Sequence, residues 1–228
     1  MILAVDDSES MQHDGKCFAA AEAVKEMVYR MKLREQTSSA AFDIAIFSFG
    51  HAVRSIDHLM LRPVAEVDED VYSFQGKSGG TRIYNALGEV CALLYAYQLG
   101  YYDLHEAPET VPPPLVIMLS DGCDRDSEHD PVAVAQKITS TDLPIGLPPL
   151  VVTVGVEFTD RLLNDTLLKQ MASKTDDGTP LYLDIGEADQ LADCLATVGS
   201  SAATTANTLY AMISHLTQTT STPPEPSS

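Results

Sequence analysis

Three short stretches of this sequence crowd oxygen-bearing side chains. The first is Asp6-Asp7-Ser8-Glu9-Ser10, directly behind the apolar run Ile2-Leu3-Ala4-Val5. The second is Gly79-Gly80-Thr81. The third is Ser120-Asp121-Gly122, directly behind Leu115-Val116-Ile117-Met118-Leu119. Asp6, Ser8, Ser10, Thr81 and Asp121 are hard oxygen donors, with no thiolate or imidazole among them, which disfavours zinc and copper. Two carboxylates and three hydroxyls suit Mg²⁺, which takes oxygen ligands and keeps several waters, with Mn²⁺ or Ca²⁺ as substitutes. Two carboxylates held close without a cation repel, and one pKa rises. A divalent ion relieves that conflict. Gly79 and Gly80 let the backbone before Thr81 turn tightly and approach the ion. Asp6 and Asp7 also suit a second chemistry, an acidic pocket that accepts a phosphoryl group, with Asp57 as the acceptor. Metal-dependent hydrolysis is a third.

Other catalytic patterns fail. Gly76-Lys77-Ser78 resembles the end of a phosphate-binding loop, but Val71 stands where GxxxxGK[ST] requires Gly. No GxSxG elbow occurs, and the six histidines lack metal-ligand spacing such as HExxH. His13 lies near the acidic loop and is a candidate for its rim. Cys123 follows the Ser120-Asp121-Gly122 turn and reads as an ordinary loop residue. No general base, nucleophile or cofactor loop accompanies the oxygen donors, so an enzyme is not expected.

The 228 residues suffice for one large domain, and a hydrophobic content of 45% suits a globular protein. The formal net charge of −19 disfavours nucleic acid and anionic membranes as partners. It favours a cation or a basic protein surface. The four cysteines are scattered with no CxxC pair, which reads as free thiols in a reducing compartment. With no signal-peptide pattern and no run of membrane-spanning length, a cytoplasmic location is expected.

The elements that position these residues follow from periodicity. Residues 2–5 read as a buried parallel strand. A helix over 15–33 carries Cys17, Ala20, Ala21, Val24, Met27, Val28 and Met31 inward, with Lys16, Lys25, Arg30 and Lys32 on the outer face. Residues 42–49 form a strand ended by Gly50, with 52–56 as its hairpin partner. Residues 59–72 are irregular, with one helical turn. A second helix begins near Ile83 and ends near Gly100, and 106–114 is a Pro-rich loop. Strands are expected at 115–119, 150–156 and 180–185, and helices at 131–139, 160–174 and 187–198. The prediction is an α/β three-layer sandwich: a central, mostly parallel sheet with one antiparallel edge strand and helices on both faces. Residues 1–199 form the domain, 200–216 a helical extension, and 217–228 a disordered Pro/Ser/Thr-rich tail. Ligands of such folds bind beyond the carboxyl ends of the strands, where all three oxygen-rich loops belong.

Asp6-x-Ser8-x-Ser10, then Gly80-Thr81, then Ser120-Asp121-Gly122, resembles the von Willebrand factor type A domain. In that family these positions form the metal-ion-dependent adhesion site. The resemblance covers residues 2–199. It implies that Ser8, Ser10 and Thr81 offer hydroxyls to Mg²⁺, and that Asp6 and Asp121 hold the ion directly or through water. One coordination position then stays open for an Asp or Glu of a protein partner, with Asp7, Glu9, Gly80 and Gly122 as its rim. Glu9 departs from the pattern, since many members have Gly there. Its side chain lies in solvent or crowds the open position. Within the family the chain is most similar to the bacterial intracellular branch associated with tellurium resistance, which implies a kinase, a phosphatase or an AAA+ ATPase as partner in a stress response. The opening strand and acidic pair also resemble a response-regulator receiver. Such a domain would be finished near residue 120, and Lys137 here is not followed by the Pro of that pattern.

Overall fold

Strand β1 (Ile2–Asp6) shows how the sheet is built. Leu3 and Val5 enter one hydrophobic core, and Ile2 and Ala4 enter another on the opposite face. A strand covered on both faces needs no polar alternation, hence its continuous apolar run. The computed structural model describes residues 1–55, 60–104, 113–122, 124, 127–140, 148–157, 165–200 and 205–218. The phosphoryl-acceptor candidate Asp57, the loop residue Cys123 and the tail from 219 onward lie outside them.

After β1 the chain makes 3-10 turns at Glu9–Gly15 and enters α1 (Lys16–Thr37). Then come β2 (Asp43–Phe49), β3 (Val53–Ser55), β4 (Arg62–Pro63) and α2 (Ile83–Leu104). The remainder is β5 (Leu115–Ser120), α3 (Pro131–Thr139), β6 (Leu150–Val156), α4 (Asp165–Met171), β7 (Tyr182–Ile185), α5 (Ala188–Gly199) and α6 (Ala206–Gln218). The strand order is β3-β2-β1-β5-β6-β7. The strands from β2 through β1, β5 and β6 to β7 run parallel.

The antiparallel edge differs from the single partner expected. β3 pairs with Phe47–Phe49 at the end of β2, and β4 pairs with Asp43 and Ile44 at its start. After β4, 64–66 and 69–71 each form one 3-10 turn in the stretch expected to hold a single helical turn. Two-residue pairing has no hydrophobic period, so nothing in the pattern announces β4.

Helices α1, α5 and α6 cover one face of the sheet. Met27 and Met31 of α1, Leu191 and Leu195 of α5, and Leu209 and Ile213 of α6 share its core. Helices α2, α3 and α4 cover the other through Ile83, Leu87, Ile138 and Met171. The architecture is thus a three-layer α/β sandwich. Every apolar residue assigned to the inner stripe of α1 is buried. Lys16 is the exception on the polar side: expected outside, it is 2% exposed. Cys17, Cys91 and Cys194 are free thiols.

Candidate metal centre

Strand order reverses between β1 and β5, which lie side by side with β2 beyond one and β6 beyond the other. The crevice at the carboxyl ends of such strands is where parallel α/β sheets bind ligands. Register fixes which residues reach it. Val5 pairs with Leu119, and Ser120 pairs with Gly155. Asp6, Asp121 and Glu157 therefore emerge at one edge from three adjacent strands.

Asp6 is fully buried, and both its carboxylate oxygens are engaged. Oδ1 accepts the Ser8 N–H at 2.9 Å, and Oδ2 accepts the Ser120 hydroxyl at 2.6 Å. Ser120 Oγ in turn accepts the Gly122 N–H at 3.0 Å, which Gly122 permits at φ 76. Burial pushes the Asp6 carboxyl up to about 7; the hydrogen bonds from Ser120 and Ser8 oppose this, and the charge of Asp121 adds to it. Ser8 is buried, and its Oγ lies 3.0 Å from Ser10 Oγ.

Thr81, also buried, reaches this edge on a loop stitched to its neighbours. The Glu9 N–H donates to Gly79 O at 3.0 Å, and Gly79 sits at φ 73. The Ser78 N–H donates to Asp7 O at 3.0 Å, and the Arg82 N–H to Gly50 O at 3.1 Å. The loops carrying Ser8, Ser10 and Thr81 are therefore one hydrogen-bonded unit. Glycine permits their close approach: a Cβ on Gly50 would lie 2.8 Å from Ser78 O.

Asp7 takes a different part from the rim position expected. Its Oδ1 accepts the N–H groups of Gln75 and Gly76 at 2.6 and 2.5 Å, and its Oδ2 accepts the Ser78 hydroxyl at 3.0 Å. Successive residues leaving a strand point to opposite sides, so Asp7 faces the loop while Asp6 faces the crevice. Glu9 is exposed, Gly80 is half-buried and Gly122 is buried. His13 is exposed beside the same loop.

Four further residues at this edge are not singled out by the sequence pattern. Lys16 Nζ lies 3.7 Å from Asp121 Oδ2 and donates to Glu157 Oε2 at 3.3 Å. Glu157 follows the apolar run of β6 just as Asp6 and Asp121 close β1 and β5, a signal available in the sequence. Asp124 and Ser127 cap the start of α2, immediately after Thr81. The Ile83 N–H donates to Asp124 Oδ1 at 3.3 Å, and the Tyr84 N–H to Ser127 Oγ at 3.0 Å. These caps come from a loop 41 and 43 residues away in sequence, so no local capping pattern reveals them.

Among the described residues no group of three or more His, Cys, Asp or Glu side chains could hold a metal. The candidate centre is instead two buried carboxylates and three hydroxyls. All-oxygen donor sets of this kind suit hard divalent cations. Cys17 lies near, its Sγ 4.0 Å from Asp7 Oδ1, but burial and the charge of Asp7 push its thiol up to about 12. It does not supply a thiolate at neutral pH.

Known structures with this fold carry the comparison further. A von Willebrand factor type A protein from Catenulispora acidiphila superposes with a TM-score of 0.60 at 15% identity, covering 87% of this chain and 41% of that one. Proximal thread matrix protein 1 of the mussel byssus, with a zinc-occupied metal-ion-dependent adhesion site, gives 0.61 at 17% identity over 87% and 47%. The manganese-loaded TRAP protein of Plasmodium vivax gives 0.54 at 16% identity over 88% and 72%. The chain thus spans under half the length of the first two. These likenesses establish the fold, that of the von Willebrand factor type A domain. No protein-family model matches the sequence, and no curated protein matches it significantly.

Proposed function

We propose that this chain is a metal-dependent protein-interaction module. One divalent cation, Mg²⁺ in the cell, sits at the β1/β5 edge and receives an Asp or Glu of a partner protein. The observation that carries the reading is the convergence of three loops at the switch point, with the buried Asp6 bonded to Ser120 from the neighbouring strand and Ser8 beside Ser10. Both Asp6 oxygens accept hydrogen bonds that fix the carboxylate in place, and in this reading it meets the cation through water. Ser8, Ser10, Thr81 and Asp121 are left to approach it directly. The cation supplies a Lewis-acidic position for an anionic ligand. The chain supplies the fixed oxygens, and the buried Asp6 and Asp121 balance the charge. The two structural relatives with metal described in their adhesion sites or as metal-loaded support the same use of this edge.

The exposed Glu9 lies at the rim and adds negative charge to the approach, which favours partners whose acid is flanked by Lys or Arg. The engagement of Asp7 with the 75–78 loop removes it from a phosphoryl-accepting pocket, which disfavours the receiver reading. A kinase, phosphatase or AAA+ ATPase in a tellurium-resistance system rests on sequence resemblance alone.

Partner capture from a lysate of the source organism tests the role. Partners retained with Mg²⁺ and lost both with EDTA and with Thr81→Ala support it. The same partners in all three arms contradict it.

A further inference from the structure

Lys16 is placed where a lysine is doubly disfavoured. Its side chain is 3% exposed, and it is the first residue of a 22-residue helix, whose positive dipole end opposes a cation. The chain turns sharply to put it there, through the left-handed Asp14 (φ 57) and Gly15 (φ 75). A Cβ on Gly15 would meet nothing within 4 Å, so glycine serves the turn rather than the packing. Two acids face the ammonium, Asp121 from the end of β5 at 3.7 Å and Glu157 from the end of β6 at 3.3 Å. Asp121 is 4% exposed and Glu157 is 11% exposed.

The charges at this edge then have a clear order. Asp6 and Asp121 alone balance a divalent cation. With Asp7 turned to the 75–78 loop, Glu157 would be the third acid facing the crevice, and each added protein carboxylate weakens the electrostatic pull on one from outside. Lys16 offsets that third charge and sits between Glu157 and Asp121.

We infer that Lys16 is the positioning residue that keeps the metal centre open to an external carboxylate, by holding Glu157 away from the cation and offsetting part of the charge of Asp121. This inference rests on the reading of the edge as a metal centre. It accounts for why Glu157, at the end of the neighbouring strand, does not saturate the site. It also predicts opposite effects for the two members of one ion pair. Removing the lysine frees Glu157, strengthening metal binding and weakening carboxylate binding. Removing the Glu157 charge leaves Lys16 acting on Asp121 alone and weakens metal binding.

Calorimetric titration of Mn²⁺ into the full chain is the test, with thermal unfolding in EDTA to show that each variant folds. Lys16→Met is expected to bind Mn²⁺ about tenfold more tightly than wild type, and Glu157→Gln about tenfold more weakly, the scale of one unit charge at a partly screened site. Acetate, added to the Mn²⁺-loaded proteins and followed by water-proton relaxation, is expected to bind Lys16→Met more weakly than wild type. A merely structural ion pair would weaken Mn²⁺ binding in both variants. That result, or an unchanged acetate affinity in Lys16→Met, overturns the inference while leaving the metal centre standing. Failure of the wild type itself to take up Mn²⁺ overturns the metal reading and the inference together.

Discussion

Asp6 carries the electrostatic tension of the site. Burial is the main cause that raises its carboxyl from 3.8 to about 7, with Asp121 adding to it. An acid raised in the folded state binds its proton more tightly folded than unfolded. Its contribution to stability is therefore fully present below the unfolded value and is lost as pH rises through about 7. In EDTA, wild type should gain stability relative to Asp6→Asn as pH falls from about 8 to about 5. Thermal unfolding across that range checks it, and parallel curves for the two proteins would rule it out. At this scale the sequence made Asp6, Ser8 and Ser10 conspicuous through their spacing behind an apolar strand. It did not separate Asp7 from them, because the side to which a residue turns after a strand end depends on the loop it meets. The periodicity places Lys16 toward solvent for a similar reason. Helical periodicity starts only once the helix has started, and the two left-handed residues before Lys16 set its direction.

At the scale of elements, the strands with continuous apolar runs and the helices with regular stripes were legible, because burial on two faces or one leaves a period in the sequence. The 3-10 turns at 9–15, the split antiparallel edge and the distant caps on α2 were not, since each depends on contacts between segments far apart in the chain. The three loops hold the site only by approaching closely, and glycine positions make that testable. A Cβ at Gly50 would lie 2.4 Å from Ser78 Cβ and 2.8 Å from its carbonyl oxygen, in a turn with backbone on the other side. Gly50→Ala should destabilise the protein by about 1–3 kcal/mol, the usual cost of overpacking. Gly199→Ala should cost less. Its Cβ would meet the flexible Met27 side chain at 2.9 Å, and alanine favours the helix by about 1 kcal/mol over glycine. Urea unfolding in EDTA compares them, and equal losses would contradict the account.

At the scale of the molecule, the parallel sheet gathers the ends of β1, β5 and β6 at one edge, and the order reversal between β1 and β5 opens the crevice there. Among the described residues no helix is long and apolar enough to cross a membrane. A chain with net charge −19 draws cations from solution, but long-range attraction does not select a site. Selection comes from the fixed oxygens. The most direct measurement is a crystal structure of the protein grown with millimolar Mn²⁺, with anomalous data collected at the manganese edge. A single strong anomalous peak is predicted at the β1/β5 edge, within the hard-cation coordination range of about 2.0–2.6 Å from hydroxyl oxygens of Ser8 and Ser10, with Asp6 one water away. A map with no peak at that edge, or with its manganese held elsewhere, would contradict the account.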